Sequence, residues 1–174
     1  MRSYFEKHPQ AISLDLKSED QDKIFSELVS LLPVDNKRSK AIRLGTGKRE
    51  ELGPTTIGNG VAVPHCRSFA VNKLVISYGR KVGGIDLYAY DRRPVEHFFL
   101  IVAPPIGPDS ELLTPMITYI SSLVKAPGTV DRLNEINSNQ EFIDLIYPDF
   151  RVHWAEGVEQ PKPAPKDGHH AVQA

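Results

Sequence analysis

Apolar residues recur along this chain at two periods, and the changes between them mark out helices and strands. From Ala11 to Leu16 the apolar positions Ile12, Leu14 and Leu16 alternate with polar ones, which predicts a short strand. Ser18 and Gln21 have the spacing of a capping box. Beyond them Ile24, Phe25, Leu28, Val29, Leu31 and Leu32 fall on one helical stripe, which Pro33 stops. Asp35 or Asn36 is placed to cap a second helix carrying Ala41, Ile42 and Leu44. Gly45 and Gly47 are expected to interrupt that helix, and Lys48 to Leu52 reads as a last turn closed by Gly53 and Pro54.

The period then shortens. Thr55 to Ile57 and Gly60 to Val63 predict two strand pieces around a turn at Gly58, Asn59 and Gly60, residue types that accept positive φ. Leu74 to Tyr78 is β-branched and apolar, and Ile85, Leu87 and Ala89 alternate with Asp86, Tyr88 and Tyr90 as in a half-buried strand. After a turn at Asp91 to Pro94, the segment Val95 to Ala103 is strongly apolar and predicts a central strand buried on both faces. The last third returns to the helical period. Thr114 and Pro115 are a start signal, with Asp109 or Ser110 as an earlier alternative, and Met116, Ile117, Ile120, Leu123 and Val124 form the stripe. Lys125 to Gly128 breaks it. A short helix with Val130 and Leu133 follows, and Ser138 with Glu141 opens a final helix over Phe142 to Ile146.

The expected fold is therefore a single α/β domain, a mixed β-sheet flanked by α-helices, because the middle strands follow one another too closely for crossover helices. We place it at residues 1–155. From Glu156 the composition turns to Pro161, Pro163, Pro165, charges and His169-His170 with no apolar periodicity, so residues 156–174 are expected to be a disordered Pro-rich tail. Phe150 and Trp154 are expected to pack the end of the domain.

Composition narrows the class. Of 174 residues, 40% are hydrophobic and 25% charged, as in an ordinary soluble domain. The net charge of −1 supplies no broad basic field, so no nucleic-acid partner is expected. A lone cysteine forms no internal disulfide and fits a reducing compartment. No apolar run approaches the roughly 18 residues of a membrane span, and the N-terminus lacks the apolar core of a secretory signal. The expected localisation is cytoplasmic. No metal or other cofactor is expected: His65 and Cys66 are neighbours that point apart in an extended segment, and the tail histidines read as solvated.

The chemistry is concentrated between Gly53 and Arg67. Pro64 fixes its own φ and pushes Val63 to an extended conformation, so Val63-Pro64-His65 reads as a rigid strand end that presents a histidine. A neutral imidazole has a free lone pair near neutral pH. As a phosphoryl acceptor it needs positive or N–H partners for the phosphoryl oxygens. Arg49 and Arg67 are candidates, as are the backbone N–H groups of Gly58, Asn59 and Gly60. The plainer reading of His65 is a hydrogen-bonded structural histidine. Cys66 reads as an inert thiol, Asp86 as a solvated carboxylate, and His97, inside the apolar strand, as a hydrogen-bonded core histidine.

Arg49-Glu50, followed by Gly53-Pro-Thr-Thr-Ile-Gly-Asn-Gly-Val-Ala-Val-Pro-His65, resembles the active-site signature of the fructose/mannitol-type enzyme IIA domains of the bacterial phosphoenolpyruvate-dependent phosphotransferase system, which include the nitrogen-regulatory enzyme IIA. The similarity spans roughly residues 10 to 147. It implies a mixed sheet flanked by helices. It also implies that His65 is phosphorylated by the histidine phosphocarrier protein HPr or its nitrogen-branch counterpart, with Arg49 supporting the phosphohistidine. Onward partners would be an enzyme IIB domain or a regulated target protein. These residues include no enzyme IIB-like cysteine domain and no permease segment, which favours a regulatory output. The alternative is a degenerate enzyme IIA that binds proteins with weak or no phosphotransfer. A hydrolase using His65 with Asp or Cys66 would lack any Gly-x-Ser-x-Gly nucleophile motif.

The chain departs from the family pattern in three places. Leu113, or less favourably Leu112, stands where a second histidine is usual. Gly45-Thr46-Gly47 falls in the helix before Arg49. Cys66 follows the histidine where a small residue, often glycine, is usual.

Overall fold

The computed structural model describes residues 1–146, so the expected tail, Phe150, Trp154 and the 155/156 boundary lie outside the described residues. The most apolar segment is the middle of the structure. Val95–Ala103 forms β6, and Phe98, Phe99, Leu100 and Ile101 in it are fully buried. Burying one such side chain contributes on the order of 1.5–3 kcal/mol. Val75–Ile85 (β5) runs antiparallel along one edge of β6, and Ile12–Ser13 (β1) lies parallel outside it. Along the other edge Val61–Ala62 (β3) and His65–Arg67 (β4) lie parallel to β6 in succession, and Thr56–Gly58 (β2) pairs antiparallel with β3. The six-stranded sheet is mixed, as the spacing of the strands predicts.

Alternation along β6 builds two cores. Phe99, Ile101 and Ala103 face one layer, made of Arg2–Lys7 (α1), Leu113–Lys125 (α4), Thr129–Glu135 (α5) and Asn139–Leu145 (α6). Phe98, Leu100 and Val102 face the other, made of Gln21–Ser30 (α2) and Asn36–Glu50 (α3). Tyr78 and Phe142 stack at 4.0 Å between ring centroids and tie α6 to the sheet.

Several boundaries differ from the sequence pattern. Asp20, not Ser18, caps α2, accepting from the Lys23 N–H at 2.8 Å, while the Lys17 and Ser18 N–H groups donate to the Glu27 carboxylate. Asp35 caps α3. That helix runs through Gly45 and Gly47 without a break, although each glycine costs about 1 kcal/mol of helix propensity. Residues 86–90 keep the predicted alternation, with Leu87 and Ala89 buried and Tyr88 and Tyr90 exposed, but form no strand. Ile85 already pairs with Val95 at the start of β6, so the segment beyond it has no partner strand. A 3₁₀ turn at Pro108–Leu112 leads into α4, so Thr114 is not its cap. Ser138 caps α6, and the Glu141 carboxylate bonds the N–H of Asn137 instead of completing the box at Ser138. The helix α1 has no counterpart in the sequence reading.

Candidate functional site

His65 begins β4 immediately after Pro64. Val61 lies opposite His97 and His65 opposite Ile101, so β3 and β4 follow β6 in one unbroken register. The interruption is the proline, which has no N–H to give but whose carbonyl accepts from Ile101 at 3.0 Å. Val63, extended ahead of it, gives its N–H to the Thr55 carbonyl at 2.9 Å. Its own carbonyl lies 2.8 Å from Nδ1 of His65.

On the other side of the ring, Nε of Arg49 donates to Nε2 at 3.1 Å. A carbonyl only accepts and a guanidinium only donates, so Nδ1 carries the proton and Nε2 the lone pair. The half-buried position holds the pKa of His65 below its ordinary value. The Val63 carbonyl opposes that shift, the charge of Arg49 adds to it, and Glu50 opposes it. The result is a neutral imidazole with its nucleophilic nitrogen against a positive charge. Such a nitrogen can attack an electrophile whose developing negative charge the guanidinium would meet.

Arg49 is fixed from both ends. It lies in the last turn of α3, and its Nη1 donates to the Gly53 carbonyl at 3.0 Å. Glu50, next to it, accepts from the N–H of Thr55 at 3.1 Å, its hydroxyl at 2.7 Å, and Nε2 of Gln21 at 3.0 Å. The loop from α3 to β2 is thereby closed by two adjacent side chains. The sequence pattern contains the Arg49-Glu50 pair but assigns a task only to the arginine, and it marks Gln21 only as a capping-box partner of Ser18, whereas its carboxamide bonds Glu50.

The other candidates fall elsewhere. Arg67 is exposed at the end of β4 and donates to the Ser110 carbonyl. Gly58, Asn59 and Gly60 form the predicted turn, with φ of 86°, 55° and 72°, at the opposite end of β3. At about 3.3 Å of rise per strand residue, Gly60 is roughly 15 Å from His65. The Asn59 N–H is already bonded to Asp91 at 2.7 Å. A side chain on Gly60 would come within 3.1 Å of the Pro94 carbonyl, so this turn anchors β3 to the loop before β6 and is not brought to His65.

Leu113 is buried in the core cluster that holds Val61, Val63 and Met116. Cys66 is buried toward α3, and burial raises its thiol pKa, which suits an inert thiol. His97 is wholly buried between the Tyr78 hydroxyl and the Asn134 carboxamide oxygen, each at 2.9 Å, and its pKa is lowered to about 4 by burial. Asp86 is exposed. Among the described residues no cluster of three or more His, Cys, Asp or Glu could hold a metal ion. No helix among them is long and apolar enough to cross a membrane.

The family model described as "Phosphoenolpyruvate-dependent sugar phosphotransferase system, EIIA 2" matches residues 7–148. The chain belongs to this enzyme IIA family. The fructose-specific EIIABC component of Bacillus subtilis is 27% identical over 137 residues, covering 78% of this chain and 21% of that protein. The enzyme IIA chain spans less than two thirds of the other curated relatives it matches as well. The crystal structure of nitrogen regulatory protein IIA-Ntr from Neisseria meningitidis superposes with a TM-score of 0.72 at 20% identity, covering 79% of this chain and 94% of that one. The complex of enzyme IIA mannitol with phosphorylated enzyme IIB mannitol from Escherichia coli matches with a TM-score of 0.64 at 17% identity, covering 79% and 94%. At these identities the structural likenesses show the enzyme IIA fold.

Proposed function

We propose that this protein accepts a phosphoryl group on Nε2 of His65 from a phosphohistidine carrier of the HPr type, in the cytoplasm, and that its output is regulatory. The observation that carries the reading is the ring geometry: Nδ1–H is held by the Val63 carbonyl, which leaves the Nε2 lone pair facing Arg49. In the transfer the donor's N–P bond breaks as the Nε2–P bond forms. Arg49 moves its one hydrogen bond on the ring to a phosphoryl oxygen. A protein donor is supported by the apolar rim at this end of the sheet. Phe69 and Ile106, which follow the paired ends of β4 and β6, are 83% and 72% exposed, and Leu52, beyond Arg49, is 85% exposed.

The enzyme IIB that accompanies the Escherichia coli neighbour makes an enzyme IIB domain one candidate for the onward partner. The nitrogen-regulatory neighbour makes a regulated target protein the other. A second reading, a binding module with little or no phosphotransfer, is favoured by one observation: Leu113, apolar and buried at the start of α4, offers no hydrogen bond to a phosphoryl oxygen.

Incubation with phosphoenolpyruvate, enzyme I and HPr is expected to place acid-labile phosphate on the wild type and none on His65→Ala, with circular dichroism as the check that the variant is folded. No phosphate on the wild type overturns the acceptor reading. Capture of different partners by His65→Ala and His65→Asp would then support the binding module, and identical capture would overturn that too.

A further inference from the structure

The helix α3 carries a glycine in the middle of a turn that packs against β4, and the residue facing it is Cys66. A side chain begun at Gly45 would meet Sγ of Cys66 at 3.4 Å and its Cβ at 3.6 Å. The Thr46 hydroxyl donates to the Ile42 carbonyl at 3.0 Å and faces the same sulfur at 3.5 Å, so the thiol sits in a closed recess of α3. Gly45 and Arg49 are four residues apart and share one stripe of the helix. Cys66 and His65 are neighbours on the strand. The contact between Gly45 and Cys66 therefore stands one helical turn behind the contact between Arg49 and His65.

We propose that Gly45 and Cys66 are a matched pair of positioning residues: position 45 leaves room for the thiol only while its side chain is no larger than a methyl, and the approach so kept holds α3 where Arg49 reaches His65. A methyl at Gly45 is an ordinary contact. The γ carbons of a valine would extend about 1.5 Å further, and β-branching leaves them one main rotamer in a helix. They would occupy the place of the sulfur, and the helix would move off the strand. Gly47 lies in the same helix but faces α2: a side chain begun there would meet Nη1 of Arg43 at 3.2 Å, and Arg43 bonds Asp22 and Ser26, so a substitution at Gly47 presses on α2 and not on Cys66. The assignment rests on the acceptor reading for its functional consequence, but not for its geometry.

The test is a cycle of Gly45→Val, Cys66→Gly and the double variant, with Gly47→Val beside it. The first readout is the ring titration of His65 by NMR in the unphosphorylated protein. Arg49 and Glu50, both from α3, are the charged groups that act on that ring, in opposite directions, alongside burial and the Val63 carbonyl. Withdrawing the guanidinium and admitting water both raise the pKa, so Gly45→Val is expected to titrate at higher pH than wild type. The initial rate of phosphorylation by HPr is expected to fall roughly tenfold, the loss of one charge-assisted hydrogen bond. Removing the sulfur in Gly45→Val/Cys66→Gly is expected to return both readouts toward wild type, and Gly47→Val is expected to change neither.

A wild-type titration in Gly45→Val overturns the pairing. So does a double variant no better than Gly45→Val. If Gly45→Val does not fold, Cys66→Gly must restore both the fold and the His65 signature, and failure to do so overturns it equally. Should no variant accept phosphate, wild type included, the acceptor reading falls while the titration still decides the pairing.

Discussion

The two histidines of the sheet, His65 and His97, lie on adjacent strands, and both are held neutral with a partner on each nitrogen. They differ in what the partners are. His97 donates through Nε2 to Asn134 and accepts at Nδ1 from Tyr78, two neutral groups, of which Asn134 is exposed and Tyr78 wholly buried. Its lone pair is spent on a hydroxyl that has nowhere else to go. His65 spends its lone pair on a half-buried guanidinium, whose one other partner among the described residues is the Gly53 carbonyl. On the acceptor reading, what separates the two histidines is whether the group on the lone pair gains or loses when a phosphoryl group arrives.

The largest effect that separates them is on stability. His97→Ala leaves a cavity beneath Tyr78 and orphans its buried hydroxyl, and is expected to cost about 3 kcal/mol or more in urea unfolding. Phosphate incorporated per folded molecule is expected to stay at the wild-type level. If His97→Ala loses phosphorylation while its stability is unchanged, the assignment of His97 to the core fails.

A second difference of similar size is in pH dependence. The pKa of His97 is 6.5 when unfolded and about 4 when folded, so between these values the unfolded chain binds a proton that the native protein refuses. Stability is therefore full above pH 6.5 and is lost as pH falls toward 4, by about 3 kcal/mol in all. His65, also lowered, acts in the same direction. The paired carboxylates Asp15, Asp20 and Glu27 lose their contribution only below their own unfolded values, at lower pH. Urea midpoints measured across this window should slope upward with pH in wild type and flatten in His97→Ala. An equal slope in both would mean that His97 is protonated in the native protein.

The reasons why some of this was legible in the sequence and some was not are physical. Val95 to Ala103 announced itself because a strand buried on both faces has no polar period to confuse it. Val63-Pro64-His65 was legible because proline acts on its own backbone and that of its predecessor, with no need of distant partners. Arg49 is a candidate by its charge and again by the resemblance, whereas its reach to His65 depends on a helix docking that no local rule describes. The same docking explains the error at Gly45 and Gly47. Propensity predicts an interruption there, but Gly45 packs against Cys66 of β4, and tertiary packing overrides the local cost. The Gly58-Asn59-Gly60 turn was correctly placed as a turn, but its distance from His65 appears only once β3 is extended.

Arg49 and Arg67 sharpen the comparison at the smallest scale, because both were candidate supports and the structure separates them by partner. Arg49 bonds Nε2 of His65, the proposed acceptor. Arg67 is exposed and donates to the Ser110 carbonyl. Removing a hydrogen bond to a charged group costs about 1.5–3 kcal/mol, so Arg49→Ala is expected to slow phosphorylation by HPr roughly tenfold to a hundredfold. Arg49→Lys should recover only part of this, because a lysine cannot span the ring nitrogen and the Gly53 carbonyl with one planar group. Arg67→Ala should stay within about threefold of wild type, as expected for an exposed charge screened by solvent. Initial rates at saturating HPr and at low HPr separate the two roles. A defect of Arg49→Ala that persists at saturation places the arginine in the transfer step, and a defect of Arg67→Ala that vanishes there places that arginine on the docking rim. Equal losses for the two variants at saturation would mean that the guanidinium on Nε2 has no special part in the transfer.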